Sequence, residues 1–177
     1  MTVKHKWTYF IDASTANTGI TMLRDDKKKV IITDLNFSKC NKYDKDLHKA
    51  EKHVEKLKQI KEMLDEFVKK YPPTETIYME GIFVQRTFLN SSEVLLKFHG
   101  FLIMYFIEHE FKYLPPKTIK KEITGKGNAT KEEVKEVLEE KYQIKFKNYD
   151  ESDSFAIFEY WMKTYDEMID GKIIEFK

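Results

Sequence analysis

The spacing of hydrophobic residues changes along the chain, and this change constrains the fold more than any other feature. Three short β-favouring runs, Trp7–Ile11, Gly19–Leu23 and Val30–Leu35, are separated by polar or charged turns. From Asp44 to Tyr71, apolar residues recur every three or four positions, with lysines and glutamates between them. The pattern predicts an antiparallel strand meander followed by a long amphipathic helix that stops at Pro72-Pro73.

The second half of the chain continues to alternate between strand and helix patterns. A short, apolar, β-rich run from Thr76 to Ile82 predicts a buried strand. Three helices are predicted after it: one from Ser91 or Ser92 to about Phe111, one begun by the capping box of Thr130 and Glu133, and one from about Ser152 to Met168. This order favours one α/β domain over 1–177, with a mixed five-stranded sheet (an antiparallel meander plus parallel strands) flanked by α-helices.

Composition and charge exclude few functions. Hydrophobic residues make up 41% of the 177 residues, which is enough for a core, and the net charge of +1 neither indicates nor excludes a nucleic-acid partner. No charge-free apolar stretch of about 18 residues occurs, which disfavours a membrane span. The single cysteine, Cys40, cannot form an internal disulfide. These features predict a protein of the cytoplasm, where thiols stay reduced.

Four acidic residues occupy positions that are unusual for acids. Asp12 ends the first apolar strand, Glu80 interrupts an otherwise apolar strand, and Asp150 and Asp153 lie three residues apart where the last helix begins. Each has an ordinary structural reading, as a turn residue, a cap or a favourable charge at a helix N-terminus. An ionised carboxylate in apolar surroundings is nevertheless costly unless something positive compensates it. Taken together, the four positions favour a functional site.

The predicted arrangement would bring these four acids together. If the two strands are neighbours and the helix packs over them, the carboxylates meet, and their pKa values rise unless a cation intervenes. Oxygen ligands with no supporting His or Cys pattern suit Mg²⁺ or Mn²⁺ rather than zinc. Two such ions can activate water and stabilise the leaving oxygen in phosphodiester hydrolysis. The acids therefore favour a metal-dependent hydrolase that acts on phosphodiesters.

Four sequence blocks, in this order along the chain, resemble the RuvC family of Holliday-junction resolvases. Each block alone is weakly diagnostic, whereas the ordered set, which extends from Phe10 to about Trp161, is specific. The resemblance implies an RNase H-like fold and a DNA endonuclease that cuts four-way junctions. The blocks are Ile11-Asp12-Ala13-Ser14 with Thr18-Gly19-Ile20, Tyr78-Met79-Glu80-Gly81-Ile82-Phe83, Lys117-Thr118-Ile119-Lys120 followed by Gly125-Lys126-Gly127-Asn128-Ala129-Thr130-Lys131, and Asp150-Glu151-Ser152-Asp153-Ser154-Phe155-Ala156.

The resemblance also implies roles for individual residues. Lys131 and Lys120 match basic positions close to the DNA and the active site, with Lys131 in the catalytic set, and a lysine there suits contact with phosphate. Phe83 matches an aromatic residue used at the junction centre, where a ring can stack on an unpaired base, and Arg86 extends the same loop towards DNA. Solvation of the lysines and simple packing of Phe83 remain open as structural readings. The metal-binding catalytic acids implied by the resemblance, with two ions of Mg²⁺ or Mn²⁺ per active site, are Asp12, Glu80, Asp150 and Asp153.

A homodimer is expected through the second helix, residues 92–111. The second half of this helix, from Phe98 to Ile107, is apolar nearly all round, which indicates a helix either enclosed in the core or shared with another subunit. The family is dimeric, and a two-fold dimer with one site per subunit can nick two strands of a junction symmetrically. The chain is closer to neutral than most family members, a divergence typical of phage-borne relatives, so a phage or mobile-element version is expected.

Three other functions compete with a strict resolvase. A broader debranching nuclease would also cut forks and flaps. A non-catalytic junction-binding module would not require all four acids. The actin-like and sugar-kinase ATPases begin with similar strand-Asp-turn segments, but they need a second related domain and a second phosphate loop, for which 177 residues leave no room.

Overall fold

The computed structural model describes residues 5–44, 46–82, 89–165 and 173–177, and it confirms the predicted α/β class. Three strands precede the long helix as predicted, and the fourth strand carries Glu80 at its end. The strands are β1 (Trp7–Asp12), β2 (Asn17–Arg24), β3 (Lys29–Asn36), β4 (Pro73–Glu80), β5 (Glu110–Leu114) and β6 (Ile173–Phe176).

These strands form one mixed sheet in the order β5-β4-β1-β2-β3-β6. The β1–β2 and β2–β3 pairs are antiparallel, whereas β1–β4, β4–β5 and β3–β6 are parallel. The predicted count of five strands is wrong, because Ile173–Phe176 is a sixth strand that pairs with β3. Four residues are too few to show a strand period, so this pairing depends on a partner more than 130 residues earlier in the chain.

Within the described ranges, five α-helices cover the two faces of the sheet, and a 3₁₀ helix follows β3. The capping box of Thr130 and Glu133 is confirmed at the start of the fourth helix. Pro116 occupies the first position of the third helix, where its missing N–H costs nothing. The helices are α1 (Lys49–Lys70), α2 (Leu89–Tyr105), α3 (Pro116–Thr124), α4 (Lys131–Tyr142) and α5 (Tyr149–Thr164), and the 3₁₀ helix is Phe37–Lys39.

Three predicted helix boundaries are wrong. The second helix begins at Leu89 rather than at Ser91 or Ser92, and it ends at Tyr105, so that Phe111 lies in β5. Phe111 follows Ile107 by four positions, which is also helical spacing, so the pattern of apolar residues alone did not reveal the turn between the two elements. The last helix begins at Tyr149, three residues earlier than predicted, and its predicted end at 168 lies outside the described residues.

The two faces of the sheet carry two separate hydrophobic clusters. Side chains alternate along a strand, so Tyr9 and Ile11 pack under α1 and α2 with Leu64 and Phe98, whereas Phe10 packs under α3, α4 and α5. We call these the α1/α2 face and the α5 face. In the part of the chain that the structure describes, no helix is long and apolar enough to cross a membrane.

Candidate active site

Asp12 and Glu80 lie at the ends of two neighbouring parallel strands, β1 and β4. Ile11 pairs with Met79 in the strand register, and each acid is the next residue along its strand. Neighbouring strands are about 4.8 Å apart, so this register brings the two acids side by side. Alternation along both strands turns them towards the α5 face.

Asp150 and Asp153 lie in the first turn of α5. Residues three apart on a helix share a face, so both carboxylates point in the same general direction. The carboxylates of Asp153 and Asp150 raise the pKa of Asp12, and that of Asp153 raises the pKa of Glu80. The four predicted acids, far apart in the sequence, therefore lie within electrostatic reach of one another.

A glycine on β2 permits the close approach of α5 to the sheet. Gly19 pairs with Asp12 across the β1–β2 ladder, and it faces the first turn of α5. A Cβ atom on residue 19 would lie 1.9 Å from the carbonyl oxygen of Asp150, which no side chain can tolerate without movement of the backbone. The absence of a side chain at this position therefore sets how near Asp150 comes to Asp12.

Two asparagines connect the start of α5 to the sheet. The Asn148 side chain caps the helix by accepting from the Glu151 N–H at 2.9 Å, and its Nδ2 donates to Asp34 of β3 at 3.3 Å. The Nδ2 of Asn17, the first residue of β2, donates to Asp150 Oδ2 at 2.8 Å. These hydrogen bonds fix the first turn of α5 both along the sheet and about the helix axis.

Two lysines supply positive charge to the site. The Lys131 ammonium, at the start of α4, forms an ion pair with Asp153. Lys120, on α3, donates from Nζ to the backbone carbonyl of Ala129 at 2.8 Å. Burial raises the pKa of Glu80 and of Asp153, and the charge of Lys120 offsets a small part of this rise. Both lysines therefore lie beside the acids, as the sequence blocks predicted.

The carboxylates remain short of positive charge despite these lysines. Burial raises the pKa of Asp12 to about 8, with further increases from Asp153 and Glu80. Burial also raises the pKa of Glu80 to about 7 and, against the lowering effect of Lys131, that of Asp153. Burial disfavours the charged form of Lys131, but the surrounding acids outweigh this effect and raise its pKa. The ionised forms of these acids are therefore disfavoured at this site, and an added cation would stabilise them.

The donor chemistry of the site fits a hard divalent cation. Carboxylate oxygens converge from β1, β4 and α5, and the buried Oδ1 of Asn17 has no hydrogen-bond partner within the described structure. As the side chains are placed, however, no three His, Cys, Asp or Glu residues in the described ranges are arranged to hold a metal ion. Coordination by several of these acids therefore requires side-chain rotation in addition to the backbone placement that the fold provides.

Not every predicted site residue is described, and some residues of the site were not predicted. Phe83 and Arg86 lie outside the described residues. Asn148 was missed, although an asparagine followed three residues later by Glu151 is a sequence signature of a helix start. Asn17 gave no signal of its own, because its contact joins residues more than 130 positions apart.

Comparison with known proteins identifies the family. Residues 10–158 match the family model described as crossover junction endodeoxyribonuclease RuvC. The crossover junction endodeoxyribonuclease RuvC of Christiangramia forsetii is 33% identical over 151 residues, which cover 82% of this chain and 73% of that protein. The matched residues include all four acids and both lysines of the site.

Solved structures share the fold at low sequence identity. RuvC of T. thermophilus in complex with Holliday junction substrate has a TM-score of 0.59 and 16% identity, covering 86% of this chain and 90% of that chain. The yeast mitochondrial Holliday junction resolvase Ydc2 has a TM-score of 0.57 and 17% identity, covering 89% of this chain and 78% of that chain. The predicted RNase H-like fold is thus confirmed. From the family match, the curated relative and the shared fold, we conclude that this chain belongs to the RuvC family of crossover junction endodeoxyribonucleases.

Proposed function

We propose that this chain is a structure-specific DNA endonuclease that cuts Holliday junctions by divalent-metal-dependent hydrolysis of phosphodiester bonds. The observation that carries the proposal is the convergence of acids from β1, β4 and α5 within a chain of the RuvC family. A structural relative, RuvC of T. thermophilus, was solved in complex with Holliday junction substrate, which supports branched DNA as the substrate class here. Three further expectations remain predictions: action in the cytoplasm, a phage or mobile-element origin, and a single domain over residues 1–177.

The residues that would hold the metal are Asp12, Glu80, Asp150 and Asp153. Mg²⁺ or Mn²⁺, two ions per site, would supply an activated water and stabilise the leaving oxygen at the scissile phosphate. The chain's own part is to hold these carboxylates on three rigid elements, so that they face one phosphate with little loss of order on binding.

Lys131 and Lys120 are proposed to act on the DNA phosphate. In the described structure the Lys131 ammonium is paired with Asp153, and in the complex it can turn to the scissile phosphate, where negative charge develops. Lys120 is held by a backbone carbonyl at one side of the site, and this position suits a contact with the backbone of DNA. Phe83 and Arg86 remain predictions as DNA contacts.

The outer face of α2 is proposed to form a homodimer. Phe98 and Leu102 of this helix are buried under the sheet, but Met104 is 66% exposed and Ile107, in the turn after it, is 60% exposed. Exposed apolar side chains grouped on one helix indicate a contact surface. Sedimentation of the wild type as a dimer, and of Met104→Asp as a monomer, would support the assignment. A monomeric wild type at working concentration would contradict it.

The test of the proposed function is cleavage by the wild type and by Asp153→Asn. With Mg²⁺, the wild type should cut a four-way junction, and EDTA should abolish cutting. Asp153→Asn removes one carboxylate charge, so cleavage should fall by orders of magnitude while junction binding persists. Asp46→Asn, an exposed aspartate ahead of α1, is the matched control and should cut like the wild type.

The same assay separates a resolvase from a broader debranching enzyme. A strict resolvase cuts the four-way junction much faster than a fork or a flap of the same sequence, whereas a debranching nuclease cuts all three at similar rates. Junction binding without any cutting by the wild type would contradict the catalytic proposal and favour a binding module.

A further inference from the structure

Asn17 occupies an unusual position beside the acids. It is the first residue of β2, and its Nδ2 lies 2.8 Å from Oδ2 of Asp150 on the first turn of α5. This hydrogen bond joins the sheet directly to Asp150, one of the four acids proposed to bind the metal. The other carboxylate oxygen of Asp150, Oδ1, takes no part in this hydrogen bond.

The backbone gives no reason for an asparagine at this position. Apart from glycine, the residues with positive φ in the described structure are Lys27 and Gln143, so residue 17 does not need a side chain that tolerates left-handed backbone. It lies in a regular ladder in which it pairs with Asn36. Asparagine is also disfavoured in strands, so the side chain must have a different role.

The amide of Asn17 is only half satisfied. Its Oδ1 is buried and has no hydrogen-bond partner among the described residues. An unpaired buried acceptor is unfavourable for stability, and an apolar side chain of similar size would avoid it. Asn17 therefore makes its contact with Asp150 at a cost in folding free energy.

A neutral donor suits a carboxylate that must stay negative. Asp153 is held by the ammonium of Lys131, which neutralises it, whereas Asp150 is held by an amide, which fixes its orientation and leaves its charge. A carboxylate held through one oxygen keeps its other oxygen available to a cation.

We propose that Asn17 is the positioning residue for Asp150: its amide fixes the carboxylate so that Oδ1 faces the divalent cation. The inference rests on the proposed metal-dependent function and names a residue that acts through a metal ligand. Residues that hydrogen-bond to a metal ligand typically change metal affinity when they are replaced, while the chemistry at saturating metal changes less.

The test is calorimetric titration of Mn²⁺ into the protein without DNA. Asn17→Ala removes the donor, and Asn17→Leu removes it while keeping most of the side-chain volume, so the second variant decides the outcome if the first fails to fold. Both should bind Mn²⁺ about 10- to 100-fold more weakly than the wild type. Asn41→Ala, which replaces an exposed asparagine bonded to the Ser38 carbonyl, should bind like the wild type.

Cleavage assays supply a second readout. In the Asn17 variants, half-maximal cutting should require more Mn²⁺, whereas the rate at saturating Mn²⁺ should stay close to that of the wild type. Folded Asn17 variants that bind Mn²⁺ like the wild type would overturn the inference and leave the proposed function intact. A wild type that binds no Mn²⁺ would overturn both.

Discussion

The two faces of the sheet are held to their helices by different kinds of contact. On the α1/α2 face, apolar side chains such as Ile60 and Leu64 make most of the contact, and the Tyr9 hydroxyl donates to the Tyr71 carbonyl at the end of α1. On the α5 face, polar contacts also link the first turns of α5 to the sheet. They are Asn17 with Asp150, Asn148 with Asp34, and Thr21 with Ser154.

This difference matches what each face has to do. Apolar burial is not directional, so it stabilises a helix without fixing its rotation. Hydrogen bonds require a particular geometry, and three of them determine how the start of α5 is placed above β2 and β3. The face that carries Asp150 and Asp153 is therefore held in orientation, whereas the other face mainly supplies buried area.

The largest loss of stability is expected on the α1/α2 face. Leu64 is 3% exposed in the centre of that cluster, so Leu64→Ala should lower the free energy of unfolding by about 2–5 kcal/mol. Cleavage per folded molecule should stay unchanged, because this face does not orient the acids. Urea denaturation measures the free energy of unfolding, and cleavage is assayed at a urea concentration well below the midpoint of unfolding. A large loss of cleavage in the folded variant would contradict the claim that the α1/α2 face does not orient the acids.

A smaller loss of stability with a larger loss of function is expected at Gly19. Because a Cβ there would lie 1.9 Å from the Asp150 carbonyl oxygen, α5 must move away from the sheet in Gly19→Ala. Overpacking of this kind costs about 1–3 kcal/mol, and cleavage should fall strongly as Asp150 leaves Asp12.

Gly100 provides the matched control for Gly19. It lies within α2 on the opposite face, and a Cβ there would meet no atom within 4 Å. Gly100→Ala should therefore raise the free energy of unfolding by about 0.5–1 kcal/mol and, in a variant that sediments like the wild type, leave cleavage unchanged. Equal effects of the two substitutions on cleavage would contradict the account.

The helix cap at Asn148 should show a still smaller effect on stability. Asn148→Ala removes the acceptor for the Glu151 N–H and should cost about 1 kcal/mol, together with some affinity for Mn²⁺. Asn148→Ser keeps a capping oxygen but not the amide that donates to Asp34. Its unfolding free energy should therefore recover while its Mn²⁺ affinity stays reduced. Full recovery of both would remove the Asp34 contact from the account.

A further effect concerns the pH dependence of stability without divalent metal. Folding raises the pKa of Asp12 to about 8 and that of Glu80 to about 7, mainly through burial, so the folded form binds more protons than the unfolded form. This contribution to stability is present below the unfolded pKa values of about 4 and is lost as pH rises to about 8. Glu80→Gln should flatten the fall in unfolding free energy over this range. An equally steep fall in the variant would show that Glu80 does not titrate as described.

The strands and acids of the site could be predicted from sequence because their signals are local. β1 to β3 show short apolar runs with turns between them, β4 is a short apolar run after a long helix, and Asp12 and Glu80 stand out because each is a charge in an apolar strand. The ordered sequence blocks then added Asp150 and Asp153 to the predicted set. In the structure, these two acids contribute to the raised pKa of Asp12, and Asp153 contributes to that of Glu80, so the four lie near one another.

Other features depend on contacts that no local pattern reveals. The strand β6 is defined by its pairing with β3, and the role of Asn17 depends on a helix at the other end of the chain. The end of α2 was misplaced because an apolar run does not distinguish helix from strand. The start of α5 had a readable signal in Asn148 and Glu151, which the pattern of apolar residues concealed.

The most direct test of the account is Mn²⁺ binding to the wild type, to Glu80→Gln and to Glu75→Gln. Glu75 lies on the same strand as Glu80 but is exposed, so it controls for the loss of one negative charge on β4. We expect Glu80→Gln to lose most of the Mn²⁺ affinity and Glu75→Gln to keep it. Equal Mn²⁺ affinity in wild type and Glu80→Gln would contradict the claim that acids from β1, β4 and α5 act on one cation site.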